Sequence, residues 1–220
     1  MKNLQKLGGF AALYLAAALL FAMVGYLLIV GTLDVVDPVD KVVQLVDNQA
    51  FLYLLNMVAY VIWGIVMIPL VLALYDRLKA GSPAMMQIAT VIGLIWACIV
   101  IASGQVSNLG MNTVVDLYGS DPAQAATVWM AIDSVANGLG SAGGEILGGT
   151  WMLLVSWAAL RGRGLSKALN YLGVLVGAAG LFSAIPALFG VFVIIFGLGK
   201  MVWCLWLGIV MLRKSPNTAV

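Results

Sequence analysis

The chain contains no histidine, and only 9% of its 220 residues are Asp, Glu, Lys or Arg. Without imidazole, haem held through histidine, histidine-based zinc sites and histidine general bases are all excluded within it. So few charges exclude an ordinary soluble domain, in which about a quarter of residues are charged. A basic excess is lacking too: eleven basic and nine acidic side chains are scattered along the sequence with no basic cluster, which argues against nucleic acid as a partner. Glutamate occurs once, as Glu145. The two cysteines, Cys98 and Cys204, both lie within apolar runs and read as small apolar residues rather than as a disulfide or redox pair.

What is present is apolar: 63% of the residues are hydrophobic. A transmembrane helix needs about 20 predominantly apolar residues. Charge-free stretches run from Leu7 to Leu33, Asn48 to Tyr75 and Ala80 to Val115. A fourth, Ser134 to Leu160, is interrupted only by Glu145, and the last, Ala168 to Leu212, only by Lys200. That last stretch is too long for one span, and Pro186 and Gly190 supply a break. The fold class is therefore all-α: a polytopic integral membrane protein of six transmembrane helices forming a single domain. The spans fall at about 8–32, 50–75, 84–106, 138–160, 168–187 and 190–212. The first run exceeds the 7–15 apolar residues or so of a signal peptide and reads as an uncleaved span.

Placing the charges orients the spans, because Lys and Arg concentrate in short cytoplasmic loops. With both termini cytoplasmic, Lys2, Lys6, Arg77, Lys79, Arg161, Arg163, Lys167, Arg213 and Lys214 fall inside, nine of the eleven basic residues. The outer loops then hold Lys41 against Asp34, Asp37, Asp40, Asp47, Asp116, Asp121 and Asp133. Two of these loops carry a helix-start signal, Asp37-Pro38-Val39-Asp40 and Asp121-Pro122-Ala123-Gln124: an acceptor side chain at the N-cap and proline at the first helical position. Each should form a short amphipathic outer helix, at about 37–48 and 122–136, lying on the membrane surface or over the bundle mouth. The acids of the first helix read as a solvated face, with calcium binding as the lesser alternative.

Small residues four apart mark helix contacts in lipid. Gly140, Gly144 and Gly148, with Gly143 and Gly149, and then Gly173 and Gly177, predict a tightly packed fourth and fifth span; a ligand or a homodimer partner could use the same space. The tryptophans form no linear motif. Trp203 and Trp206, three apart, should share a face of the last helix.

Ionisable residues inside a bilayer are candidates for function by default. Glu145 and Lys200 lie roughly 24 and 20 Å from the cytoplasmic end, counting 1.5 Å per residue. A buried ion pair between them is expected, either as a structural clasp between two spans or as part of an outward-opening polar pocket. Asn56, Tyr60, Ser103, Gln105, Asn108 and Asn137 stand near the same depth and complete the proposed ligand-binding set. No catalytic residue, metal site or cofactor is read from the sequence. The partners expected are the lipid bilayer and a small-molecule or ion ligand. A homodimer or larger membrane complex, in which the chain would be an accessory subunit, is the alternative, and an intramembrane enzyme ranks last.

The stretch from Arg161 through Gly164-Leu165-Ser166-Lys167 into Ala168-Leu169-Asn170-Tyr171-Leu172-Gly173 resembles the bacterial six-span membrane proteins grouped as domain-of-unknown-function family 4386. Members similarly pass from a basic cytoplasmic turn into a helix with a leucine-glycine start, usually after proline; here Ser166 stands in the proline's place. The resemblance implies architecture and inner-membrane residence, and it brings no established activity or catalytic residues.

Overall fold

A computed structural model describes residues 2–30, 37–140, 142–162 and 164–213. Asp34, Arg163 and Lys214 lie outside the described residues. Those described are helical or in turns, with no strand among them. In chain order the elements are α1 (Lys2–Val30), α2 (Pro38–Asp47), α3 (Gln49–Asn56), a π-helical turn (Met57–Ile62), α4 (Trp63–Leu78), α5 (Pro83–Tyr118), α6 (Pro122–Gly140), α7 (Ala142–Gly162), α8 (Lys167–Phe182) and α9 (Phe189–Arg213). Four helical stretches, Asn3–Leu28, Gln49–Leu78, Pro83–Tyr118 and Phe189–Arg213, are long and apolar enough to cross a membrane. The protein is membrane-embedded.

Six helices form a ring. α1 packs on α4, α4 on α5, α5 on α7, α7 on α8, α8 on α9, and α9 returns to α1. Close approach of glycines makes two of these seams. At the α7–α8 seam, a Cβ on Gly149 would stand 2.7 Å from the Gly177 carbonyl oxygen and 3.0 Å from the Gly180 carbonyl carbon, so the backbones touch directly. The expected pair is tight, but Gly149, Gly177 and Gly180 make it; of the stripe read from the sequence, Gly140 ends α6 against Ser103 and Gly148 faces Trp96 and Phe196. The ring closes where Gly9 of α1 meets Gly208 of α9: a Cβ on Gly208 would lie 2.9 Å from the Gly9 carbonyl oxygen. Contacts of Gly143 and Gly144 lie outside what is described.

Local signals set the helix boundaries. The Asp37 carboxylate accepts from the Val39 N–H at 2.7 Å and the Asp121 carboxylate from the Gln124 N–H at 2.9 Å, so both Asp-Pro starts cap their helices. Ser166 caps α8 by accepting from the Leu169 N–H at 3.4 Å. The last apolar run breaks between Phe182 and Phe189, as Pro186 and Gly190 suggest.

Other boundaries differ from the reading of the apolar runs. The third run, expected to end at about 106, continues as one helix to Tyr118, about 54 Å long at 1.5 Å per residue. Its extension is amphipathic: Met111 and Val114 are buried against Val42 and Leu45 of α2 and Ala125 and Ala126 of α6, a cluster separate from that inside the ring. α6 runs on to Gly140 rather than 136 and packs along this extension. α2 and α6 thus cap one end of the ring. The opposite end carries Arg77, Arg161 and Arg213, and there the Arg77 guanidinium donates to the Gly164 carbonyl at 3.0 Å.

Trp203 and Trp206 do not share an environment: Trp203 is buried, whereas Trp206 is exposed. Being three apart offsets two side chains by about 60° around the helix, enough to put one in the interior and one outside. Cys204 is buried and Cys98 exposed, both as free thiols.

Candidate functional site

The π-helical turn interrupts what would otherwise be one helix from Gln49 to Leu78. Such turns add a residue to the helical repeat, rotate everything before them and free backbone groups. Here the Tyr14 hydroxyl of α1 donates to the Val58 carbonyl at 3.1 Å, occupying an acceptor within the turn. The rotation carries Asn56 into the ring, where it is buried. Its amide oxygen accepts from the Tyr26 hydroxyl at 2.8 Å and its amide nitrogen donates to Asn108 Oδ1 at 3.0 Å, so one hydrogen-bonded line joins α1, α3 and α5.

Above this line, beneath the cap, lies a cavity of about 430 Å³. Tyr26, Asn56, Tyr60, Ser103, Ser107 and Asn137 give it hydroxyls and amides, α2 adds Lys41 and Gln44, and α6 adds Trp129 and Asp133. Ser103 is already committed, donating to the Ala136 carbonyl at 2.7 Å and pinning α5 to α6. Asp133 is partly withdrawn from water, which raises its carboxyl above the ordinary carboxylate range; a hydrogen bond with Asn137 and the charge of Lys41 offset part of that rise.

Tyr60 also lines a second cavity, of about 210 Å³, deeper in the ring. Glu145 and Lys200 both face it. Lys200 Nζ sits 5.4, 5.5 and 4.8 Å from the ring centroids of Trp63, Trp96 and Phe196, an aromatic box around an ammonium. Gly148 makes room for it, since a Cβ there would stand 2.6 Å from Trp96 and 2.8 Å from Phe196. The indoles continue as a chain through the core, with centroids 5.0 Å apart from Trp63 to Trp96 and 5.9 Å apart from Trp96 to Trp151 and from Trp151 to Trp203.

The direct ion pair expected between Glu145 and Lys200 is not formed. Among the described residues the one carboxylate–ammonium contact is Lys79 to Asp76, at 2.8 Å. Lys200 acts on the Glu145 carboxylate through space, and Glu145 Oε2, though buried, has no hydrogen-bond partner.

Of the eight residues expected to form the site, Asn56, Tyr60, Ser103 and Asn137 line the upper cavity, and Tyr60, Glu145 and Lys200 the lower. Asn108 stands behind the wall and holds Asn56. Gln105 is exposed and belongs to neither cavity. It follows Ser103 by two residues, about 200° around the helix, so similar depth puts it on the opposite face. Sequence reasoning missed Tyr26, Lys41, Asp133 and the aromatic box. Lys41 and Asp133 fall on the expected outer helices, where a solvated face is the natural reading; of the box, only Phe196, four residues before Lys200 on α9, had a readable spacing, since Trp63 and Trp96 come from α4 and α5. No three of the described His, Cys, Asp and Glu residues converge as metal ligands, those of the acidic helix α2 included.

No curated protein and no solved structure matches the chain. Residues 10–210, which include every residue lining the two cavities, match the family described as a domain of unknown function (DUF4386), and the chain belongs to that family.

Proposed function

We propose that the protein is a six-span protein of the bacterial inner membrane, with both termini cytoplasmic, whose capped cavity binds a small molecule from the outer side. The observation that carries this reading is the cavity of about 430 Å³ beneath α2 and α6, with amides and hydroxyls converging on it from α1, α3, the π-helical turn, α5 and α6. Binding sites are typically concave, between helices, and of this size, with a few placed polar groups on an apolar wall. The π-helical turn supports the same reading, since such turns recur where a helix must aim side chains at a ligand.

The start of α1, at Gly8 and Gly9, packs on the end of α9, at Gly208, Met211 and Leu212, which puts the two terminal ends of the chain's helices on one side and supports an even number of crossings. The nine basic residues assigned to the cytoplasm support the orientation. On this reading α2 and α6 are outer helices, and the vestibule opens away from the cytoplasm.

The test uses the purified full chain in detergent, screened against a library of small polar metabolites by thermal unfolding. A subset should raise the midpoint, and Ser107→Phe, which fills the vestibule without removing a hydrogen bond of the Tyr26–Asn56–Asn108 line, should abolish that rise. Shifts unchanged by Ser107→Phe, or none at all, would overturn the reading. So would a chain that copurifies with a stoichiometric membrane subunit and answers to no ligand, the outcome expected of an accessory protein.

A further inference from the structure

Glu145 and Lys200 are the only charged side chains among the described buried residues, at 7% and 9% exposed. A buried charge is costly unless paired and hydrogen-bonded. Direct pairing would satisfy both groups and fill the space between them. Instead they form no ion pair, and both line one cavity of about 210 Å³. Glu145 Oε2 has no donor and the Trp63 indole N–H no acceptor; both atoms are shielded, and both residues line the cavity. The faces of three aromatic rings offset part of the charge of Lys200 but take none of its N–H groups as a carboxylate would.

We propose that this inner cavity binds the head of a small zwitterion bearing a primary or secondary ammonium and a carboxylate, the chemistry of a small amino acid. The ammonium donates to the Glu145 carboxylate, and the ligand's carboxylate accepts from Lys200. A lone anion would satisfy Lys200 but place two negative charges in one chamber. A lone cation would do the reverse. A zwitterion meets both groups and leaves the filled cavity neutral. At roughly 30 Å³ for each water-sized group, the volume admits about seven such groups, which limits the ligand to a compact molecule. Leu19, Ala22 and Val193 leave an apolar wall for a short aliphatic part. Tyr60 stands in the walls of both cavities, and the inference takes its outer-side entry from the vestibule reading, on which it rests.

The experiment measures binding of glycine, alanine and β-alanine to the full chain in detergent, beside acetate, propionate and ethylamine as singly charged counterparts. The parent protein should bind at least one zwitterion and discriminate by about tenfold or more against the singly charged compounds, the scale of one lost charge-assisted hydrogen bond. Glu145→Gln should lose the zwitterion and gain relative affinity for acetate or propionate. Lys200→Met should lose it and gain relative affinity for ethylamine. If either single variant fails to fold, the comparison within the parent protein still decides. Equal binding of charged and zwitterionic compounds would overturn the proposal, as would variants whose preference does not move. If metabolites bind in the vestibule, sensitive to Ser107→Phe, while no zwitterion binds, this inference fails alone and water is the occupant. If neither cavity responds to any compound, both readings fail.

Discussion

Asp133 shows how a single side chain can tie the cap to pH. Burial in the vestibule wall raises its carboxyl pKa, with Asn137 and Lys41 opposing. A folded-state pKa above the unfolded one means that the folded form prefers the protonated acid. The resulting stabilisation is complete below the unfolded pKa and is lost as pH rises through the folded value. The cap should therefore tighten on mild acidification just above the ordinary carboxylate range. Hydrogen exchange of α6 amides between neutral and mildly acidic pH would measure this. Asp133→Asn should stabilise α6 at neutral pH and flatten its profile, and a profile that overlays the parent's would refute the assignment. The same residue marks a limit of sequence reading. In the sequence Asp133 is the one charge between Asp121 and Glu145, on an expected surface helix; that it lines a cavity with Lys41 depends on how α2 and α6 meet. Glu145 and Lys200 were legible as special because charges within apolar runs are rare. The surroundings of Lys200 were not, because Trp63 and Trp96 reach it from two other helices.

At the scale of the element, the π-helical turn has the largest consequence. Each residue advances an α-helix by about 100°, so the extra residue sets the angle between the α3 and α4 faces. Deleting one residue within Met57–Ile62 should restore a regular helix, turn Asn56 away from Tyr26 and Asn108, and abolish ligand stabilisation while leaving the helical content unchanged. Tyr14→Phe is the milder version. It removes the donor to the Val58 carbonyl and should cost about 1 kcal/mol, readable as a lowered unfolding midpoint. A deletion variant as stable and as responsive to ligand as the parent would show that the turn aims nothing. The sequence carried no sign of it, since Met57–Ile62 is as apolar as its surroundings and π geometry has no residue signature. The caps of α2, α6 and α8 were readable, being local hydrogen bonds that a few adjacent residues determine. The extension of α5 was readable in principle, because Met111, Val114 and Tyr118 repeat at helical spacing through a stretch with no proline.

For the whole molecule, the closed ring makes a prediction about sidedness. With six crossings, cysteines introduced near either terminus should react with a membrane-impermeant maleimide only after the cells are opened. A cysteine placed at Gly119 or Ser120, between α5 and α6, should react in intact cells whose outer barrier has been made permeable. Labelling of the two termini from opposite sides would exclude an even number of crossings and with it the six-span reading. The amino-acid sequence by itself determined where the long apolar helices lie, where they begin and which ends carry positive charge. These follow from local hydrogen bonding, from the length of apolar runs and from the charge asymmetry of loops. Only the tertiary structure decided which faces meet. In lipid the outside of a helix is as apolar as its interior contacts, so hydropathy cannot tell Trp206, exposed, from Trp203, buried. Close packing at Gly149 and Gly208 and the aromatic box around Lys200 make that choice. Through it, two charges that the sequence suggested would pair instead line one cavity without forming an ion pair.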